Sequence, residues 1–250
     1  MPSRHHKITK TKAKAALLTV ALTLLGGCAN GFSDFYTQNV NSIEAERELI
    51  LLKAGEMPII YESDNPDRDI DILKSKNHVL IGHSLFNGKI HSKDLLIQQA
   101  TKVKATHVVY TSKYTNSQIT SSPLILPNGF GGFSSTTMIG QQLRFDQLAA
   151  FMAKSKTKPR FGIGPEDLNP ETRKNLGTNK GVLVMIVFDD TPAFNANLFK
   201  GDVITHVNNR EVLNTEHLGR VLNAIPEDTK TVDLSILRDG KTIDLVLNLK

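Results

Sequence analysis

Along the first half of the chain, short strand-like apolar runs are broken by stretches of helical period. M-P-I-I-Y (57–61) predicts a strand, and the S-D-N-P-D-R-D that follows (63–69) is dense in turn residues. H-V-L-I-G-H-S (78–84) and T-H-V-V-Y-T-S-K-Y-T (106–115) are β-branched and aromatic, as strands are. Between them, S-K-D-L-L-I-Q-Q-A-T-K-V-K-A (92–105) sets Leu95, Leu96, Ala100 and Val103 near helical spacing behind Ser92. Upstream, S-I-E-A-E-R-E-L-I-L-L-K-A-G (42–55) predicts a short helix from its early Glu44, Glu46 and Glu48, late Lys53 and terminal Gly55. These patterns predict a small α/β domain over residues 42–153, with 28–41 as a tether. Thr115 to Gln142, rich in Ser, Thr, Gly and Pro, fits a hairpin, a mobile flap or disorder, and Leu143 to Met152 fits helix or strand.

The basic run K-S-K-T-K-P-R (154–160) predicts a linker at 154–159, and the pattern changes after it. G-V-L-V-M-I-V-F (181–188), D-V-I-T-H-V (202–207), T-V-D-L-S-I-L (231–237) and T-I-D-L-V-L-N-L (242–249) predict strands. The Asp-Gly of R-D-G-K (238–241) predicts a hairpin turn between the last two. One amphipathic helix, N-T-E-H-L-G-R-V-L-N-A-I (214–225), carries Leu218, Leu222 and Ile225 on one face and stops before Pro226. The expected fold class is α+β: the small N-terminal α/β domain followed by a partly open β-barrel with a flanking helix over 160–250.

The second region resembles a PDZ domain of the bacterial, circularly permuted type that follows the protease part of HtrA enzymes. The carriers are F-G-I (161–163), G-V-L-V-M-I-V-F-D-D-T-P-A-F-N-A-N-L-F-K-G-D-V-I-T-H-V-N-N (181–209) and R-D-G-K. Thr191 and Pro192 open a turn into a short helix whose Ala193, Ala196 and Leu198 pack beneath the sheet. Gly201 frees the backbone, and Asp202 caps nearby amides. Where relatives have Ala-Gly-Leu, this chain has Ala196-Asn197-Leu198, and Asn accepts the left-handed conformation next best to Gly. The resemblance implies that Arg160, Phe161, Gly162 and Ile163 form the carboxylate-binding loop. An extended peptide would then add beside Ile163 and Gly164, facing the helix 214–225. Leu218 and Leu222 either line that groove or serve only as core, and Pro165 limits the length of an added strand.

The N-terminus changes the picture of charge and location. Arg4, Lys7, Lys10, Lys12 and Lys14 precede the uncharged Ala15–Gly27, a basic region followed by an apolar one too short for a spanning helix, which needs about 20 apolar residues. Residues 1–27 therefore predict a signal peptide. Its L-G-G-C end (25–28) resembles the lipobox of bacterial lipoproteins, which implies cleavage before Cys28 and acylation of that residue, the single cysteine of the chain. Several acyl chains hold a membrane lastingly, and Ala29 lacks the Asp of the inner-membrane retention rule. The expected address is the outer membrane, facing the periplasm. Removing the five leader cations from the 30 Lys plus Arg leaves 25 against 25 Asp plus Glu, so the formal +5 is no footprint of nucleic-acid binding.

Candidate chemistry is sparse. There is no G-x-S-x-G or G-N-S-G-G, and too little chain precedes the PDZ-like part for a two-barrel protease. His78, His83, His91 and His107 lie near Asp94 and Ser84 in sequence. His78 and His83, five apart on a predicted strand, fall on opposite faces and so suit shared metal ligation poorly. V-L-I-G-H-S-L-F-N-G (79–88) also resembles an N-terminal domain that accompanies PDZ-like segments in bacterial lipoproteins, a resemblance that implies no activity. The sequence thus predicts a non-enzymatic, acyl-anchored adaptor without cofactor or metal, whose partners are peptide C-termini or extended segments of envelope proteins. The other reading is a hydrolase, or a protease-associated subunit, with its active site in the α/β domain.

Overall fold

The computed structural model describes residues 30–127 and 133–249, arranged around two separate six-stranded sheets. The first unit runs α1 (Gly31–Asp34), β1 (Tyr36–Gln38), α2 (Ser42–Glu48), β2 (Leu49–Ile50), β3 (Ile59–Glu62), α3 (Pro66–Ser75), β4 (His78–Gly88), α4 (Lys93–Lys102), β5 (His107–Pro127) and β6 (Phe133–Ser155). Its sheet order is β1-β4-β6-β5-β3, with β2 beside β6. Among the described residues of this sheet, only β3 and β5 pair in parallel.

Helices cover both faces of this sheet. Phe32, Leu96, Ala100, Val108, Ala149 and Phe151 bury one face under α1 and α4, while Leu73 of α3 meets Val109, Ala150 and Met152 on the other. The stretch expected as a tether is folded from Asn30 onward. Phe32 is fully buried against Phe86 and Tyr110, and β1 pairs with β4, because an aromatic in G-F-S-D-F-Y gains more by closing this core than by staying in water. Two further local readings give way. The turn-rich segment at 63–69 starts α3, since Asn65 accepts from Arg68 N and Pro66 sits in the first helical turn. The helix expected over 42–55 ends at Glu48, where Leu49 and Ile50 instead pair with Ser155 and Lys154 of β6.

Of the stretch expected as hairpin, flap or disorder, residues 115–127 lie in β5 and 133–142 in β6, and Leu143–Met152 continues β6, the two strands pairing antiparallel. Strand β6 runs through the first two residues of the expected linker, to Ser155.

The second unit contains β7 (Ile163–Asp167), α5 (Pro170–Leu176), β8 (Val182–Val187), α6 (Pro192–Asn195), β9 (Val203–Val207), β10 (Arg210–Glu211), α7 (Thr215–Asn223), β11 (Thr231–Arg238) and β12 (Lys241–Asn248). The order β12-β11-β9-β8-β7 leaves the sheet open, with β7 and β12 at its edges. Local signals hold well here. Asp239 and Gly240 both take positive φ in the β11–β12 turn, and Asn197 takes the left-handed conformation at φ +58°. Asp202 is buried, accepts from Phe199 N at 2.7 Å and pairs with Arg238 at 2.6 Å. The units touch through α3: Ser75 O accepts from Asp189 N at 2.9 Å, and Asp71 pairs with Lys200.

Candidate functional site

The site forms where β7, an edge strand, runs beside α7. Its base is the turn Arg160-Phe161-Gly162-Ile163. Gly162 has φ +82°, and a Cβ placed on it would lie 1.9 Å from Thr191 Oγ1 and 2.2 Å from Thr191 Cβ, so no larger residue fits without displacing the first turn of α6. The carbonyl of Phe161 accepts from Ala193 N and that of Gly162 from Phe188 N, both at 3.0 Å. No peptide among the described residues is cis. In a trans peptide the N–H points opposite to the C=O, so the amides of Gly162 and Ile163 are both turned away from β8 and α6, toward the open edge. Two successive amides aimed the same way form an anion-binding concavity.

Apolar walls stand beside it. Phe161, Ile163 and Leu218 are buried in one cluster with Val221 and Ile225, and Leu222 packs half-buried against it. Asn214 caps α7 by accepting from His217 N at 2.8 Å, which fixes the helix start and hence the phase that turns Leu218 inward.

The two elements are tied at both ends. Arg160 donates from Nη1 to Ile225 O (2.8 Å) and from Nη2 to Pro226 O (2.6 Å), with its guanidinium 5.0 Å from the Phe161 ring centroid. At the far end Asp167 Oδ1 accepts from Thr215 N at 2.7 Å, and that hydrogen bond lowers the Asp167 carboxyl below its ordinary pKa. Between these ties β7 pairs Ile163 with Val187 and Gly164 with Ile186, then shifts register at Pro165, which has no N–H to offer.

The candidate site is thus an edge strand beside a helix capped by Asn214, with the Gly162 turn at its base. The family model of the PDZ domain matches residues 159–249. Residues 159–249 form a PDZ domain. A probable periplasmic serine endoprotease DegP-like of Pseudomonas fluorescens is 30% identical over 94 residues, which are 38% of this chain and 19% of that protein. Its counterpart in Rickettsia prowazekii is 36% identical over 96 residues, 37% of this chain and 18% of that protein. The chain thus spans less than a fifth of the length of these relatives. Among solved structures, the HtrA3 PDZ domain bound to a phage-derived ligand (FGRWV) covers 35% of this chain and 81% of its own at 18% identity, with a TM-score of 0.31.

Within the PDZ domain the structure brings Arg160, Phe161, Gly162, Ile163, Leu218 and Leu222 together at one edge. Leu218 is the most enclosed of them, at 1% exposure, so its contribution to the edge is the core packing that holds α7 in place, whereas Leu222 is half-buried at the margin of that core. Cys28 lies outside the described residues. Sequence reasoning missed the seat that Thr191 provides for Gly162 and the tie between Asp167 and Thr215. The Thr-Pro pair at 191–192 marks a helix start, but nothing local says which distant glycine packs upon it.

The polar groups of the first unit do not converge. Ser84 Oγ donates to Phe32 O at 2.6 Å rather than to a histidine. Contrary to the expected opposite placement, His78 and His83 lie on the same sheet face: a bulge between Leu80 and Gly82 inserts Ile81, so His78 faces Lys154 and His83 faces Ala150. They still do not meet, for His78 Nδ1 lies 3.1 Å from Leu73 O and His83 Nδ1 lies 3.0 Å from Asn39 Oδ1. The near neighbour of His78 is His107, with ring centroids 4.4 Å apart. Burial lowers both of their pKa values, and the mutual repulsion lowers that of His78 further. Among the described residues no group of three metal-ligating side chains forms, and no helix is long and apolar enough to cross a membrane.

Proposed function

We propose that the PDZ domain binds the C-terminal end of a partner polypeptide between β7 and α7, and that the chain is a non-enzymatic adaptor for envelope proteins. The observation carrying this reading is the pair of outward amides at Gly162 and Ile163, which matches a terminal carboxylate in charge and geometry. The peptide then extends antiparallel to β7, with main-chain hydrogen bonds ending near Pro165, so about three residues are read. Phe161, Ile163 and Leu222 favour an apolar terminal side chain. Acylation at Cys28 holds the adaptor at the periplasmic face of the outer membrane.

Fluorescent peptides from a C-terminal array test the binding mode. A free carboxylate is expected to bind at least about tenfold more tightly than the same peptide as its amide, equivalent to about 1.4 kcal/mol. Equal affinity would dismiss the carboxylate reading. The anchor is tested by mass spectrometry of the membrane-extracted protein and its Cys28→Ala variant; an unmodified Cys28 in the native host would end that part of the proposal. Hydrolytic activity that survives deletion of 160–250 would overturn the non-enzymatic reading.

A further inference from the structure

The β5/β6 hairpin continues far beyond the sheet that starts it. Strand β4 leaves β6 at the Gly88–Phe145 pair, and β3 leaves β5 at Glu62–Tyr110, so beyond Asn116–Arg144 the two arms form a ribbon with both outer edges open. The base is held firmly: Arg144 donates to Asn87 Oδ1 (2.7 Å), Asn87 O (3.0 Å) and Gln118 Oε1 (2.8 Å). From Tyr114 to Leu143 the sequence contains no Asp, Glu, Lys, Arg or His. Soluble proteins commonly protect an open edge with charge or proline. Here Pro123 removes a donor from the β5 arm, whereas the β6 arm from 133 to 143 has neither device.

The register sorts the side chains by face. Ser117, Ile119, Ser121, Pro123 and Ile125 pair with Leu143, Gln141, Ile139, Thr137 and Ser135, which puts four large aliphatics on one side. Ile119 (77%), Ile125 (65%), Ile139 (76%) and Leu143 (51%) are all exposed. The opposite face carries Asn116, Gln118, Thr120, Ser122, Thr136 and Gln142, uncharged amides and hydroxyls, together with Leu124 and an exposed Met138.

We propose that this ribbon is a self-assembly element, in which the β6 edges of two copies of the chain pair antiparallel across a two-fold axis. Edge pairing in register continues both faces, aliphatic with aliphatic and hydroxyl with hydroxyl, and without charge the copies do not repel. An oppositely charged partner finds nothing to recognise. A single ribbon entering lipid would carry unpaired backbone edges into hydrocarbon, which disfavours a membrane as the occupant. Size also favours pairing over simple stacking. Arms of nine residues at about 3.4 Å each give a face about 27 Å long and 10 Å wide, roughly 270 Å² per copy against the ~800 Å² of a standard interface, so main-chain hydrogen bonds must supply the remainder.

Sedimentation velocity of the full-length chain carrying Cys28→Ser, from about 1 to 100 µM, tests this over the range in which small interfaces dissociate. A reversible dimer is expected. Ile139→Lys should abolish it with an unchanged melting temperature, and Val246→Lys, at an exposed aliphatic of the PDZ domain, should leave it intact. Ile139→Cys on the same background, at the middle of the nine-residue β6 arm, should give a disulfide-linked dimer on oxidation, independently of any effect of lysine on folding. A monomer throughout, a dimer that survives Ile139→Lys, or a monomer that binds phosphatidylglycerol vesicles through the ribbon would each overturn the proposal.

Discussion

Replacing Gly162 by alanine tests the geometry of the turn at 160–163 most directly. Two costs act at that position. A non-glycine residue held at positive φ loses about 1–2 kcal/mol, and the new methyl would sit 1.9 Å from Thr191 Oγ1 and 2.2 Å from its Cβ, an overlap that forces the α6 turn to move. Overpacking of this kind typically costs about 1–3 kcal/mol, so the sum is about 2–5 kcal/mol, or a urea midpoint lower by roughly 1–3 M at ordinary slopes. The assay is urea unfolding of the full chain, followed at the transition of the PDZ domain, in a double-mutant cycle with Thr191→Gly. Thr191→Gly removes the Cβ, Oγ1 and Cγ2 that the methyl would strike, so on that background Gly162→Ala should cost only the conformational part, about 1–2 kcal/mol. An equal cost on both backgrounds would refute the steric account, and a cost below about 1 kcal/mol in the parent chain would refute both parts.

Three further outcomes rest on hydrogen bonds and burial elsewhere in the molecule. Asp202→Ala takes away the acceptor of Phe199 N and leaves the Arg238 guanidinium with Asn197 O alone, at a site where the carboxylate is only 2% exposed, so a loss of about 3 kcal/mol is expected in chemical denaturation. Arg160→Ala removes two hydrogen bonds to carbonyls beyond α7 and the stacking on Phe161; a stability loss of about 1–2 kcal/mol is expected, with faster amide exchange at the end of α7 read by mass spectrometry. Because burial lowers the pKa values of His78 and His107, the unfolded chain takes up protons first as pH falls. Their full contribution therefore holds above about 6.5 and is lost progressively below it; calorimetry from pH 7.5 to 5 should show a shallower fall in melting temperature for His107→Gln than for the parent.

How much was legible in the sequence differs between the two units. In the PDZ domain many signals are local: Asp239-Gly240 fixes a tight turn, Asn197 accepts the left-handed conformation, and Asn214 begins α7, so β8, β9, α7, β11 and β12 could be read directly, whereas α5 was missed and the loop at 160–163 came from the resemblance. In the first unit the deciding partners are remote. Leu143–Met152 fits helix or strand by itself and becomes a strand because β4 and β5 flank it on both sides.

By itself, then, the sequence determined where the four longer inner and C-terminal strands, the last hairpin turn and the capped helix of the PDZ domain lie, because φ preferences and hydrophobic period act within a few residues. Only the tertiary structure decided that Phe32 closes a core, that Ile81 bulges and brings His78 and His83 to one face, and that Gly162 rests on Thr191 with its amides turned outward. Register and close approach are set by atoms far away along the chain, and no local pattern encodes which of them will arrive.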